Sequence, residues 1–159
     1  MSQQFQPPAP DSQTPAGFGA PVAPARRGNV GLGIVAAVVA ALIAAGAYGG
    51  IIGATEYEIG YAALGVGFLI GLASGKIGGS NPVLPVVSAL LSLGAVYGGQ
   101  LLGTAIIGAK VAPVGAFELL TQHFALVQEA WTEETSPISL AFFAIGAVVA
   151  FQTARKTAA

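Results

Sequence analysis

An all-α integral membrane fold, a four-helix bundle with an amphipathic helix on its outer side, is what this sequence predicts. Three observations carry the prediction. Apolar residues make up 54% of the 159 residues and charged residues only 8%, whereas a water-soluble domain carries about 25% charged residues to cover its surface. The mean hydropathy is +0.74. The apolar residues are gathered into four long stretches, and almost every charge lies between or beyond them.

The same composition closes off other classes. Glycine occurs 23 times without a triplet period, which excludes collagen. Six Lys and Arg against seven Asp and Glu give a net charge of -1, so there is no basic face and no nucleic-acid partner is expected. With no cysteine, disulfides, thiolate metal sites and cysteine catalysis are excluded.

Residues 1–29 come first and differ from the rest. They hold Pro7, Pro8, Pro10, Pro15, Pro21 and Pro24 with only scattered apolar residues, too few to offset the entropy of ordering, and read as a disordered, proline-rich cytoplasmic tail. The apolar region begins near Val30 and is too long for a signal peptide. Arg26-Arg27 is not a twin-arginine signal, because Gly28-Asn29 follow where bulky apolar residues belong. Pro7 and Pro10 have the PxxP spacing, but a solvated tail accounts for them better.

The transmembrane domain is expected over 30–156, with spans at about 30–54, 60–76, 82–109 and 138–154. A span needs roughly 17–25 apolar residues. The first and third qualify comfortably. The second and fourth are near the lower limit, so Lys76, Arg155 and Lys156 are expected to snorkel to the interface. Thr55-Glu56-Tyr57-Glu58 is a polar turn between the first two spans. Gly78-Gly79-Ser80-Asn81 turns the chain into the third, with Asn81 as N-cap and Pro82 at the first helical position. Thr135-Ser136-Pro137 opens the fourth in the same way.

Four crossings place Arg26, Arg27, Lys76, Arg155 and Lys156 on one side and leave only Lys110 on the other. The positive-inside rule then puts both termini in the cytoplasm. Glu56, Glu58, Glu118, Glu129, Glu133 and Glu134 fall outside.

Spans two and four align at a constant offset. Ile59 matches Ile138, Ala62 matches Ala141 and Gly67 matches Gly146, while Gly71/Ala150 and Gly75/Ala154 are small for small and Lys76/Arg155 closes both. Spans one and three share Tyr48-Gly49-Gly50 and Tyr97-Gly98-Gly99. The economical reading is a duplicated helical hairpin with both copies in one orientation, so that the pseudo-axis runs along the membrane normal, unlike the inverted repeats of many transporters. The alternative is chance alignment of low-complexity membrane sequence. Within the first hairpin, Glu58, Gly60, Tyr61, Ala62, Gly65, Gly67, Phe68, Leu69 and Gly71 form a pattern that resembles small multi-pass bacterial membrane proteins of unassigned function, actinobacterial in their Ala/Gly/Pro-rich style. The resemblance implies a bacterial plasma membrane and no activity.

Glycines four apart stack on one helix face and let another backbone come close. Such rows occur at Gly67, Gly71, Gly75 and Gly79, at Gly46 and Gly50, at Gly49 and Gly53, at Gly94 and Gly98, and at Gly99 and Gly103. Packing inside the monomer is the preferred reading, with self-association the alternative. Gly71 to Ile77 is no P-loop: its glycine spacing is one short, and Ile77 stands where Ser or Thr would bind magnesium. Gly65-x-Gly67 follows no strand, so it is no dinucleotide fingerprint.

No Asp, Glu, Lys, Arg or His lies near the middle of a span, which argues against a proton relay, an ion-coupled carrier and a voltage sensor. Gln100 is the most polar group well inside one, and Thr104 shares its face. An interhelical hydrogen bond is the preferred role for both, a pore lining the alternative.

Between spans three and four, about 114–131 reads as an outer amphipathic helix. Phe117, Leu120, Phe124, Val127 and Trp131 step by three and four along one face, with Trp131 at headgroup level. The helix either lies in the interface or packs as a lid across the bundle. His123, the sole histidine, sits at the edge of that face, and its spacing to Glu118 and Glu129 is poor for shared coordination. Glu56 and Glu58 are the carboxylates that another loop brings toward it, a weak basis for a cation site, so neither metal nor cofactor is expected. The function expected is non-enzymatic: a small membrane scaffold or accessory subunit whose partners are the lipid bilayer and itself or another membrane protein. The rival is an oligomeric pore or small-solute channel lined by span three.

Overall fold

The computed structural model describes residues 28–158. They form six helices: α1 (Val30–Thr55), α2 (Ala62–Gly78), α3 (Val83–Val111), α4 (Ala116–Gln122), α5 (Phe124–Glu134) and α6 (Pro137–Thr157). Among the described residues there is no strand. Helices α1, α3 and α6 are long and apolar enough to cross a membrane, and α2 is an apolar helix of 17 residues. The proline-rich segment expected as a disordered tail, Arg26 and Arg27 included, lies outside the described residues except for Gly28 and Asn29.

Local chemistry sets the helix ends. Asn29 Oδ1 accepts from the Leu32 N–H at 3.3 Å and opens α1. Asn81 Oδ1 accepts from the Val83 N–H at 2.9 Å, with Pro82 at the helix entrance. Ser136 Oγ accepts from the Ser139 N–H at 3.2 Å and Pro137 is the first residue of α6. Each cap satisfies a donor that the first helical turn leaves open. Helix α1 closes on Glu56, whose φ of 60° is left-handed. For a residue with a Cβ that conformation costs roughly 1–2 kcal/mol, and here the Glu56 N–H donates to Ile52 O at 2.7 Å while its carboxylate pairs with Lys110 at 2.8 Å.

The contact order along the helices gives their directions. A Cβ placed on Gly67, Gly71 or Gly75 of α2 would strike the carbonyl oxygens of Gly146, Ala150 and Ala154 of α6 in turn. The two helices are therefore parallel, and each glycine meets the residue 79 positions on, the offset of the sequence alignment. On α1 and α3, Gly49 meets Gly99 and Leu102 while Gly53 meets Ile106, so these helices also run parallel. Helix α1 packs in addition on α2, and α3 on α6.

Small residues fill the interior. Ala37, Ala41, Ala44 and Tyr48 of α1, Ala63 and Val66 of α2, and Ala95 and Val96 of α3 are buried in one cluster. Larger side chains point outward: Leu42 is 70% exposed, Ile43 67% and Leu90 64%. Ile70, Leu84 and Val96 are fully buried as well, but many of the other large aliphatic side chains stay outside, so close contact between small residues is a large part of this packing.

The outer segment is two helices, not the single helix expected over 114–131. His123, at φ -122° and ψ 34°, interrupts it. The interruption resets the helical phase, so α4 and α5 each turn their own face to α3. Leu119 and Val127 are buried against Leu101 and Ala105 of α3, with Leu120 and Trp131 partly buried beside them. Phe117 is 80% exposed and Phe124 46%, so these two do not share with Val127 the face that packs on α3. Helix α6 continues beyond the fourth apolar stretch, through Arg155 and Lys156 to Thr157.

Candidate functional site

The one built polar constellation among the described residues lies where α3, α5 and the α1–α2 loop meet. Gln100 on α3 is only 4% exposed. Its Nε2 donates to the Glu58 carboxylate from the loop. Its Oε1 accepts from the Trp131 Nε1–H of α5 at 2.7 Å. One turn back on α3, the Tyr97 hydroxyl donates to Gln128 Oε1 of α5. The two helices thus exchange aromatic-to-glutamine hydrogen bonds: Tyr97 and Gln100 are three apart on α3, Gln128 and Trp131 three apart on α5, and residues three apart share a face. The Trp131 ring stands edge-on to Tyr97 at 5.0 Å and faces Phe143 of α6 at 6.5 Å, geometry that aromatic quadrupoles favour.

Sequence reading singled out Gln100 and Trp131 but assigned them to separate features, and it missed Glu58, Tyr97 and Gln128 as their partners. The i, i+3 pairing of an aromatic donor with a glutamine on two different segments was the available signal. Thr104, one turn beyond Gln100 and half-buried, stands outside the network. Glu56 and Glu58 do not converge on a cation site with His123. Glu56 pairs with Lys110, whose ammonium holds the Glu56 carboxyl below the usual glutamate range through their hydrogen bond and charge. Glu58 receives Gln100. Exposed His123 marks the α4–α5 break, where its N–H donates to Leu119 O at 3.1 Å. Among the described residues no three His, Asp or Glu side chains gather as metal ligands.

The sequence-singled glycines divide into two sets. Gly67, Gly71 and Gly75 abut α6 as above. Gly99 would bring a Cβ to 2.9 Å from the Tyr48 ring, and Gly103 to 2.5 Å from the Ile52 side chain. Gly46, Gly50, Gly94 and Gly98 have nothing within 4 Å of that position. At these four the direction a Cβ would take is open, so their lack of a side chain is not what lets a neighbouring helix of this chain come close. The reason is rotational phase. In each Tyr-Gly-Gly only one glycine turns inward, Gly49 in the first and Gly99 in the second, so the two motifs do not occupy equivalent places. Gly46, Gly94 and Gly98 instead line an outward groove of about 440 Å³ between α1 and α3, with Leu42, Leu90 and Leu102.

Two hydroxyls in the interior, Ser74 Oγ and Ser92 Oγ, are buried without a hydrogen-bond partner. Ser88 Oγ donates to Leu84 O at 2.8 Å, the backbone bond that a helical serine makes when nothing else is near.

No family model matches this chain, and neither a curated protein nor a solved structure matches it.

Proposed function

We propose that this chain is a small multi-pass protein of a bacterial plasma membrane, a non-enzymatic scaffold or accessory subunit that acts by lateral helix contact with itself or another membrane protein. In this reading α1, α2, α3 and α6 are four spans of one bundle. Both termini are cytoplasmic, and α4 and α5 cap the outer end. Helix α2 is about 26 Å long at 1.5 Å per residue, close to the hydrocarbon thickness. The inside-small, outside-large distribution is what helices in lipid require, because close backbone contact has to replace the hydrophobic effect.

The observation that carries the scaffold reading is the open glycine set. Gly46, Gly94 and Gly98 leave a smooth groove on the outer surface, and a Cβ at any of them would meet nothing in the chain. The pore reading is disfavoured, since it needs Gln100 to face water while both ends of its amide are bonded to Glu58 and Trp131.

Two measurements test the reading. Single cysteines at Ser80 and Thr132 should label from opposite sides with an impermeant thiol reagent, and labelling of both in intact cells would overturn the topology. Gly98→Leu should reduce native mass or partner recovery while leaving thermal stability in detergent unchanged. Retention of the full assembly by Gly98→Leu would remove the groove from the function.

A further inference from the structure

Two outward grooves each carry a cation in their lining. The first lies between α1 and α2, measures about 400 Å³ and is lined by Ala40, Ile43, Leu69, Leu72, Ile77 and Lys76. The second lies where the α2–α3 turn meets α6. It measures about 390 Å³ and joins Pro82, Pro85 and Phe151 to Ser80, Asn81 and Arg155. Lys76 and Arg155 are the pair related by the 79-residue offset, and they sit at the same level, because the Cβ position of Gly75 lies 2.6 Å from Ala154 O.

Charge at this end is one-sided. Among the described residues Lys76, Arg155 and Lys156 are its charged side chains, and no carboxylate pairs with them. The acids Glu56, Glu58, Glu118, Glu129, Glu133 and Glu134 all belong to loops and helices at the far end, where Lys110 is their one ion-pair partner. The Arg155 guanidinium is held 5.7 Å over the Phe151 ring, and both residues line the groove. Arginine donates in a planar fork that matches a phosphate. Asn81 Oδ1 is spent on the Val83 N–H, so its amide NH₂ is the second donor on that wall.

We infer that these grooves are two equivalent sites for an anionic phospholipid, with an acyl chain along each apolar wall and the phosphate of an anionic headgroup on Arg155 in one and Lys76 in the other. An apolar trough lined by a cation that has no carboxylate partner among the described residues matches one class of ligand on both counts: a long chain carrying a net negative headgroup. A zwitterionic lipid fills the trough but brings its own cation to Arg155. A free phosphate satisfies the cation but leaves the trough empty. The inference rests on the membrane-spanning reading above, since only that places the grooves among acyl chains.

The test uses the full chain purified in detergent, with dioleoyl phosphatidylglycerol, dioleoyl phosphatidylcholine and inorganic phosphate as separate probes. Native mass spectra should show two retained phosphatidylglycerol molecules, bound at least tenfold tighter than phosphatidylcholine, and only phosphatidylglycerol should raise the melting temperature. Arg155→Gln and Lys76→Gln should each lose one retained lipid, and the double variant both. Arg155→Lys should keep both, which separates charge from disturbed folding. Equal retention of the two lipids, full retention by the double variant, or stabilisation by phosphate alone would overturn the inference. Alkaline carbonate extraction of cell membranes separates the two levels: release of the chain refutes the spanning reading itself, whereas a chain that stays embedded without preferring phosphatidylglycerol refutes only the lipid sites.

Discussion

Trp131 of α5 and Gln100 of α3 are joined by an indole-to-amide hydrogen bond of 2.7 Å, and the same Gln100 amide donates to Glu58. A single buried glutamine therefore ties three separate pieces of chain to one end of the packed helices. Its cost in desolvation is met only while both ends of the amide are engaged, so the clasp is sensitive to loss of one partner.

Trp131→Phe keeps the ring between Tyr97 and Phe143 but leaves Gln100 Oε1 buried without its donor. It should cost about 1–3 kcal/mol in thermal unfolding in detergent and speed hydrogen exchange across α5. Tyr97→Phe should cost less, because the acceptor it strands, Gln128 Oε1, belongs to a half-buried residue. Unchanged exchange in Trp131→Phe would mean that the clasp does not hold α5 down.

Gly71 faces the Ala150 carbonyl so closely that even a methyl group cannot enter without moving α6. Gly71→Ala should therefore destabilise by about 1–3 kcal/mol, against the mild effect that a generic small-residue row implies. Gly98→Ala, with open space at its Cβ position, should be neutral or should gain up to about 1 kcal/mol from helix propensity. Equal melting temperatures for the two variants would show that α2 and α6 are not in backbone contact.

Val127 is 4% exposed against α3, whereas Phe117 is 80% exposed. Val127→Asp should free α4 and α5 and raise exchange over 116–134, because it buries a charge without a partner. Phe117→Asp should leave that exchange near wild type in detergent. The reverse ranking would restore a single continuous helix with Phe117 on its buried edge.

Lys110 lowers the Glu56 carboxyl below the ordinary glutamate value. A folded-state value below the unfolded one means that the ion pair contributes at pH values above the unfolded glutamate range. That contribution is lost as pH falls through the lowered folded value. Both groups are exposed, so salt should screen the effect. A carboxyl NMR titration should show the Glu56 value lowered in wild type and raised in Lys110→Gln. A titration that Lys110→Gln does not move would show that the pair does not form.

Several features of this protein are legible residue by residue. Long runs of Val, Ile, Leu, Ala and Gly have no stable alternative to the helix once water is excluded, so the positions of α1, α3 and α6 follow from composition. Asn81 with Pro82 and Ser136 with Pro137 mark helix starts because capping is local chemistry within four residues. The 79-residue match between α2 and α6 is visible as a pattern. That its members touch is a tertiary fact.

What the sequence by itself determined is the four apolar helices, their approximate ends and the segregation of charge to the two ends of the chain's long helices. Tertiary structure alone decided which glycines face a neighbour and which face outward, that His123 breaks the outer segment, and that Gln100 bonds to Glu58 and Trp131. The physical reason is rotation. Along a helix made of Ala, Gly, Val and Leu, each face is nearly as apolar as any other, so no periodicity selects the face that turns inward. That choice is made only when a second backbone comes close enough to exclude a Cβ at Gly71 but not at Gly98.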